Sequence, residues 1–301
     1  MKKVIILGGP TASGKSKLAI KLAKELNGEI INADSMQVYK HFPILTSQPK
    51  EKDLKKIKHH LYGYINTNKE FNAIMWLSDT IKKIDSLQFK NKVPIVVGGS
   101  GLYLEFLCKG INNLPIISDN TKKKVEQVIQ NTRKKKMQEL LYEIDAEYSS
   151  KINISDTLRV SKLLQVFFQT KKNITFFHQS KRQVNEYNFL KIFYKPDREV
   201  VKLNIKKRFY QMLEDGLIQE VNSNNKKVKN SNISKAIGYR EIINYLNKKM
   251  SFEEVSSIIL RKTKNFAKRQ YTWFNNRYVS DITLQSKDNY SLIVESFIKI
   301  N

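Results

Sequence analysis

An eight-residue run near the start of the chain, Gly-Pro-Thr-Ala-Ser-Gly-Lys-Ser at positions 9–16, has the residue types and spacing of a phosphate-binding P-loop. Phosphate is recognised by converging backbone N–H groups and positive charge, and glycine permits the close backbone approach. Lys15 can reach the outer phosphates, and the Ser16 hydroxyl can ligate a magnesium ion that bridges them. The pattern predicts that a di- or triphosphate binds, without indicating which bond breaks. The predicted phosphate-binding residues are Gly9, Pro10, Thr11, Ala12, Ser13, Gly14, Lys15 and Ser16.

The segments around this run predict the elements that hold it. Residues 4–7 are typical of a buried strand, and residues 17–23 have the spacing of a helix whose positive end would face the phosphates. Further strands are predicted at residues 29–32 and 93–97. We therefore expect a parallel sheet in which the P-loop connects the first strand to the first helix.

Polar side chains follow the second and third predicted strands. Asp34, Ser35 and Gln37 come after the second strand, and Ser100 lies in a Gly-Gly-Ser-Gly turn at 98–101 after the third. Loops at the carboxyl ends of parallel strands line one ligand crevice, so we expect the Asp34 loop to lie near the P-loop. The glycine-rich turn fits the same crevice but is explained equally well as a plain turn from strand to helix.

The rest of the chain separates into a helical segment and a return to the sheet. Residues 122–144 and 156–168 have helical spacing with no strand pattern between them, which indicates a helical insertion. A strand is predicted at 188–194, a helix at 198–214, a polar loop at 222–234 and a basic helix at 252–275. We therefore predict an α/β protein with a P-loop NTPase-like parallel-sheet core at 1–115, an inserted all-helical domain at 116–185, and a return to the core with basic C-terminal helices at 186–301.

The chain is strongly basic, with 54 Lys and Arg against 28 Asp and Glu and a formal net charge of +26. Such an excess predicts a polyanionic partner, because cations neutralise phosphates. The alternative is compositional drift in a chain rich in Lys, Asn and Ile, whose lysines would only solvate the surface. Near the C-terminus, cations and aromatics alternate at residues 268–274, which suits phosphate contact with base stacking, although Trp273 and Phe274 are more typical of core anchors.

Composition excludes several protein classes. With 41% hydrophobic residues among 301, the chain can bury a substantial core and is not disordered. The single cysteine, Cys108, excludes an internal disulfide, and its apolar neighbours favour a core position. The adjacent His59 and His60 would point to different faces, which favours a structural role over metal binding. No apolar stretch fits a signal sequence or a membrane span, so we expect a cytoplasmic protein.

Several blocks taken in order resemble the tRNA dimethylallyltransferases, a bacterial family of tRNA prenyltransferases in the P-loop superfamily, from residue 4 to about 274. The P-loop has the family's distinctive Pro-Thr-Ala, and Ala-Asp-Ser-Met-Gln-Val-Tyr at 33–39 is similar to its second block. The further blocks are His59-His60-Leu61, Val96-Val97-Gly98-Gly99-Ser100-Gly101-Leu102-Tyr103, Arg159 within 156–168, residues 208–216, Ala236-Ile237-Gly238-Tyr239-Arg240 and Lys268-Arg269-Gln270-Tyr271-Thr272-Trp273.

The resemblance implies transfer of a dimethylallyl group from its diphosphate to N6 of the adenosine immediately 3′ of the anticodon, with Mg²⁺ as cofactor. The adenine amine is a poor nucleophile, so the reaction depends on an easily departing diphosphate. The P-loop, Lys15 and magnesium would stabilise the leaving group, and Asp34 would accept the proton from N6. By analogy, Ser100 would hydrogen-bond the diphosphate bridge or the base, which completes a predicted catalytic set of Lys15, Asp34 and Ser100.

The resemblance also implies the tRNA anticodon stem-loop as partner. The target nucleotide must leave the loop stack to reach the diphosphate, and phosphate contacts would make the affinity salt-sensitive. The implied tRNA-binding residues are Asp34, Ser35, Met36, Gln37, Ser100, Leu158, Arg159, Val160, Ser161, Lys162, Gly238, Tyr239, Arg240, Lys268 and Arg269.

Four places depart from the family pattern. Ser100 stands where Thr is usual, which keeps the hydroxyl, and Asn275 stands where a basic residue is common. Residues 44–49, which include Gln48, lack the usual glycine and lysine, and residues 69–76 follow the pattern only loosely. We expect these changes to affect local RNA contacts rather than the diphosphate chemistry.

Three other functions stay open. A P-loop kinase of nucleosides or nucleotides would use the same loop for ATP but explains neither the charge nor the basic tail. A non-enzymatic, nucleotide-dependent RNA-binding protein would keep its RNA-dependent function after Asp34 is replaced. Prenylation of free adenine nucleotides would need neither the helical insertion nor the tail. We expect a monomer with no membrane partner.

Overall fold

The computed structural model describes residues 2–112, 114–179, 187–228, 231–286 and 288–299 of the chain. The chain divides into two compact units. The sheet unit consists of Met1–Cys108 and Glu186–Asn301, and the helical unit consists of Lys109–Asn185. The helical unit thus begins ahead of the boundary at 116 that was expected from the sequence.

Across the described residues the sheet has six strands, and all neighbouring strands are parallel. Their order in the sheet is β3-β2-β4-β1-β5-β6. In the central strand β1, Ile5 lies opposite Ile95 of β4 and Leu190 of β5. The loops that leave β1, β2 and β4 therefore emerge at the same edge. In chain order the strands are β1 (Lys3–Gly8), β2 (Gly28–Asn32), β3 (His59–His60), β4 (Val93–Gly98), β5 (Asn188–Tyr194) and β6 (Ile282–Leu284).

Helices pack on both faces of this sheet. Ile5 and Leu7 join a core with side chains of α1 and α14, whereas Phe193 of β5 stacks on Phe274 of α13 with 5.1 Å between ring centroids. Burial on both faces explains why the central strands are continuous apolar runs. In chain order the helices are α1 (Lys15–Glu25), α2 (Glu51–Leu54), α3 (Ala73–Phe89), α4 (Gly101–Lys109), α5 (Asp119–Asn131), α6 (Lys134–Ile144), α7 (Ala146–Ser149), α8 (Thr157–Thr170), α9 (Ile174–Gln179), α10 (Arg198–Glu214), α11 (Leu217–Asn224), α12 (Tyr239–Leu246), α13 (Phe252–Arg277) and α14 (Ser291–Lys299).

The helical unit contains α5 to α9 around its own apolar core, which includes Leu141 and Leu163. A buried carboxylate, Asp145, ties two of its helices together. Asp145 accepts the Tyr148 N–H at the start of α7 and both the N–H and the hydroxyl of Thr175 in α9. The unit therefore has its own apolar interior and a buried carboxylate whose hydrogen bonds are satisfied.

The predicted α/β class with a parallel sheet is confirmed, with local differences. The strands β3 and β6 were missed because runs of two and three residues carry no strand pattern. The expectation of a loop at 222–234 was wrong in part, since this segment contains the end of α11 and the 3-10 turns Asn225–Lys227 and Asn232–Lys235. Cys108 is half-buried. Among the described helices none is long and apolar enough to cross a membrane.

Candidate active site

The P-loop lies between the carboxyl end of β1 and the first turn of α1, and α10 packs across it. The guanidinium of Arg208 in α10 donates to the Thr11 hydroxyl at 2.9 Å. The Lys15 ammonium donates to the Pro10 carbonyl at 3.0 Å. Two cations from distant parts of the chain therefore meet at the loop that is expected to hold phosphate.

The charges of this region act on one another. Burial lowers the pKa of Lys15 to about 8, while Asp34 acts to raise it and Arg208 acts to lower it. Burial also lowers the pKa of Arg208, and Asp34 opposes that change. Lys15, Arg208 and Asp34 are thus within electrostatic reach of one another. A bound phosphate would raise the pKa of Lys15, because a nearby anion favours the ammonium form.

The loop after β2 is built around a buried amide. Asn32 accepts the Asp34 N–H at 2.9 Å and donates to the carbonyls of Asp34 and Leu61 at 3.0 Å. The Asp34 carboxylate in turn accepts the Met36 N–H through Oδ1 at 2.9 Å, and the Gln37 N–H at 3.4 Å. In the described part of the chain both of these hydrogen bonds are accepted by Oδ1.

Residues 45–49 line one side of the site, and side chains from two other parts of the chain hold this segment in place. The Gln37 amide donates to the carbonyls of Thr46 and Ser47 at 2.9 and 2.8 Å. The Glu220 carboxylate in α11 accepts the N–H groups of residues 44 and 45, both at 2.8 Å. The segment that departs from the family pattern is therefore fixed by hydrogen bonds.

The glycine-rich turn after β4 packs against the Asp34 loop and bonds to it. A Cβ atom on Gly98 would lie 2.0 Å from the Ala33 carbonyl oxygen, so only glycine permits this approach. The Ser100 hydroxyl accepts the Ser35 N–H at 3.1 Å. The turn is thus part of the site's scaffold rather than a plain connection between strand and helix.

These loops, with α10 and α13, surround a cleft of about 830 Å³. Its walls combine positive charge with an apolar surface, so it can hold a polyanion beside an apolar group. The cationic side chains are those of Lys15, Lys17, Lys50, Lys52, Lys207, Arg208, Lys235 and Arg269, and the carboxylates include Asp34 and Asp53. The apolar side chains include Met36, Leu45, Phe209, Met212, Ile237, Ile259 and Phe266.

Comparisons with known proteins identify the family. The family model described as IPP transferase matches residues 37–277, and that described as Isopentenyl transferase matches residues 2–69. The chain belongs to the IPP transferase family. A Pelagibacter ubique protein named tRNA dimethylallyltransferase is 40% identical over 92% of this chain and 90% of its own length. A Rickettsia bellii protein of the same name is 37% identical, with coverage of 94% and 91%.

Two solved structures of tRNA-modifying transferases are similar in fold to this chain. A full-length tRNA isopentenylpyrophosphate transferase from Bacillus halodurans has a TM-score of 0.71 and 28% identity, covering 99% of this chain and 96% of that chain. A eukaryotic dimethylallyltransferase acting on tRNA has a TM-score of 0.78 and 25% identity, covering 98% and 77%. The resemblance found in the sequence is confirmed, and so is the prediction of a prenyl-transferring enzyme.

Many of the predicted site residues line the cleft of this IPP transferase family member, and others do not. Those that line it are Thr11, Ala12, Gly14, Lys15, Ser16, Asp34, Ser35, Met36, Gln37 and Arg269. Those that lie elsewhere in the sheet unit are Gly9, Pro10, Ser13, Ser100, Gly238, Tyr239, Arg240 and Lys268.

Among the second group, the contacts of Ser100 and Tyr239 are to protein. The Ser100 hydroxyl holds the Asp34 loop, so its contact with diphosphate or base stays a prediction. Tyr239 is 7% exposed and donates its hydroxyl hydrogen to Asn225. Arg240 and Lys268 are exposed, as direct contact with RNA would require.

The predicted tRNA-binding residues of α8 belong to the helical unit. Leu158 is 81% exposed and Arg159 is exposed beside Asp156, whereas Val160 is part of the buried core. The Ser161 hydroxyl accepts the side-chain amide of a glutamine one turn later. Burial lowers the pKa of Lys162. Their contacts with tRNA stay predictions.

Four residues that shape the site were not among the site residues predicted from the sequence: Asn32, Arg208, Glu220 and Gln270. Arg208 and Gln270 stood in blocks that resemble the family, which was the available signal for them. Asn32 was recognised only as the end of a strand. The two histidines have structural contacts, as expected: His60 pairs with Glu29 at 2.6 Å and His59 donates to the Ile57 carbonyl at 2.8 Å.

Proposed function

We propose that this protein transfers a dimethylallyl group from dimethylallyl diphosphate to N6 of the adenosine immediately 3′ of the anticodon in tRNA, and releases diphosphate. The observation that carries the proposal is one cleft that contains both the P-loop with Lys15 and the loop with Asp34. The names of the relatives support the choice of donor and acceptor. They do not favour a kinase.

On the donor side, the diphosphate lies against the P-loop and the allylic carbon lies against the apolar wall. When the allylic C–O bond breaks, its electron pair stays with the departing diphosphate. Lys15 and Arg208 stabilise the growing negative charge, and preorganised cations are effective at this because they need not reorganise. The lowered pKa of Lys15 is then no obstacle, since the diphosphate itself favours the ammonium form.

On the acceptor side, N6 of the extruded adenine forms the new C–N bond and becomes cationic. The proton leaves N6 for Oδ2 of Asp34 and then passes to water, which restores the carboxylate. The loop N–H groups that donate to Oδ1 favour one orientation of the carboxylate. The balance of the reaction is one C–O bond broken, one C–N bond formed and one proton released.

The residues fit Mg²⁺ as the cofactor. Ser16 is exposed in the cleft at the first turn of α1, where a hydroxyl can ligate the ion. In the described ranges no group of three or more His, Cys, Asp or Glu side chains could hold a metal. The donor's phosphate oxygens and water would supply most ligands, as is usual for Mg²⁺. When bound, the ion withdraws charge from the leaving diphosphate.

On the RNA side, we propose that exposed cations of α13 and α8 contact backbone phosphates. Lys268 and Arg269 are exposed, and so is Arg159. The net charge of +26 supports a polyanionic substrate and predicts an affinity that falls with salt. We propose further that the protein acts as a monomer in the cytoplasm.

The substitution Asp34→Asn tests the chemistry. It keeps the size and the hydrogen-bond acceptor of the side chain but removes the base, so kcat should fall by about a hundredfold or more while tRNA affinity changes little. The matched control is Asp119→Asn, at an exposed position in α5. The assay follows label from dimethylallyl diphosphate into tRNA, with mass spectrometry of the nucleosides.

Three results would contradict the proposal. Label that enters RNA only from γ-labelled ATP would indicate a kinase. Label that AMP captures in preference to tRNA would indicate prenylation of free nucleotides. Undiminished turnover by Asp34→Asn would remove the proposed base.

A further inference from the structure

Gln270 in α13 is 6% exposed although it directly follows the exposed cations Lys268 and Arg269. Its Oε1 accepts the Thr11 N–H at 2.8 Å, and its Nε2 donates to the Gly99 carbonyl at 2.8 Å. A single side-chain amide therefore joins the P-loop to the glycine-rich turn after β4.

The fit of this amide is specific. A Cβ atom on Gly99 would lie 2.3 Å from Nε2 of Gln270, so a side chain there would exclude the amide. One end of the amide must accept and the other must donate, which an ionised carboxylate cannot do because it only accepts. Both backbone groups are polar and would lose a partner without it.

The two contacts connect the donor side of the site with the acceptor side. Thr11 also holds Arg208, which lies beside the expected diphosphate. Gly99 precedes Ser100, whose hydroxyl holds the Ser35 N–H next to Asp34. The amide of Gln270 thus stands between the loop that holds the leaving group and the loop that holds the proposed base.

We infer that Gln270 is a positioning residue for prenyl transfer, which sets the spacing between the P-loop and the Asp34 loop. The inference rests on the proposed function, because the two loops need a fixed spacing only if donor and acceptor react across them. In such a reaction a misplacement of about 1 Å can cost up to about a hundredfold in rate. Loss of the amide should therefore lower kcat more than it raises the KM for the donor.

The substitution Gln270→Glu gives a pH-dependent signature. The ionised side chain accepts the Thr11 N–H, but its second oxygen then meets the Gly99 carbonyl, and two acceptors repel. The protonated side chain donates to that carbonyl and restores both contacts. We expect a kcat about ten to a hundred times below wild type at pH 8, with the deficit shrinking as the pH falls to 6. The matched control is Gln285→Glu, an exposed glutamine after β6, for which the ratio to wild type should stay near one throughout.

The outcomes separate the inference from the function beneath it. A wild-type protein that does not transfer dimethylallyl to tRNA refutes the proposed function. An active wild type with a Gln270→Glu ratio that is near one, or that does not change with pH, overturns the positioning role. If Gln270→Glu does not fold at pH 8, the isosteric apolar variant Gln270→Met decides: a wild-type kcat rejects the inference, and a reduced kcat with a wild-type donor KM supports it.

Discussion

The buried amide of Asn32 offers a test in which stability and activity must change together. The side chain is fully buried and makes three hydrogen bonds to backbone groups, one from the Asp34 N–H and two to the carbonyls of Asp34 and Leu61. Asn32→Ala removes the side chain that forms all three hydrogen bonds and leaves the three backbone groups without this partner. At about 1 kcal/mol for each bond, the free energy of unfolding should fall by about 3 kcal/mol. This is a large part of the roughly 5–15 kcal/mol that stabilises a typical protein.

Tryptophan fluorescence in urea measures the relevant unit directly. The chain has two tryptophans, Trp76 and Trp273, and both lie in the sheet unit. The Trp76 indole N–H donates to the Asn32 carbonyl at 2.7 Å, so its environment reports on this loop. The midpoint should fall by about 1–2 M urea at an unchanged slope. In the same variant kcat should fall by about tenfold or more, because Asp34 loses its anchor.

The control for Asn32→Ala is Asn222→Ala, an exposed position in α11. A surface substitution of this kind should change stability by no more than about 0.5 kcal/mol. The reasoning is refuted if both variants unfold at the same urea concentration and both keep wild-type turnover. That result would mean that these hydrogen bonds neither stabilise the sheet unit nor hold the Asp34 loop.

Two further predictions concern charge and packing. Burial lowers the pKa of Lys15 to about 8, so the ammonium is charged below pH 8 and neutral above it. The KM for the donor should therefore be constant below pH 8, and well above pH 8 it should rise about tenfold for each pH unit. Steady-state kinetics from pH 6.5 to 9.5 would measure this, and a flat profile up to the highest pH would contradict it. Gly98→Ala should destabilise by about 1–3 kcal/mol and lower turnover, because its Cβ would lie 2.0 Å from the Ala33 carbonyl oxygen. A thermal melt with parallel turnover measurements would check this. An unchanged melting temperature would contradict it, because the turn at Gly98 and the loop at Ala33 could then move apart without loss of stability.

The parts of the site that were predictable from sequence are those whose signal is local. The P-loop is a continuous run between a strand and a helix, and both flanking elements have their own periodicity. The position of Asp34 followed from the rule that loops at the carboxyl ends of parallel strands share a crevice. That rule needs only the order of strands, and the structure places Asp34 and Lys15 in the same cleft.

The residues that hold these loops in place could not be predicted in this way. Gln270 contacts Thr11 across 259 positions of the chain, and Glu220 contacts Ile44 across 176. Such pairs depend on how helices pack over the sheet, and a single sequence has no pattern that reports it. Asn32 is different, since its partner Asp34 is two residues away. A short polar side chain that bonds nearby backbone was a usable signal for it.

The contacts of the aromatic residues in α13 explain why cations and aromatics alternate at residues 268–274. Phe274 is 1% exposed and stacks on Phe193, and the ring of Trp273 lies 2.3 Å from where a Cβ atom on Gly101 would be. Phe274 anchors the helix to the sheet, and the half-buried Trp273 packs on the first residue of α4, so these contacts favour core anchors over a stacking platform. The exposed cations of the same helix, Lys268 and Arg269, do not take part in this packing and can contact phosphates. Since Gln270 lies between the two sets, the helix that we propose to grip RNA is also the helix that holds the two reacting loops together.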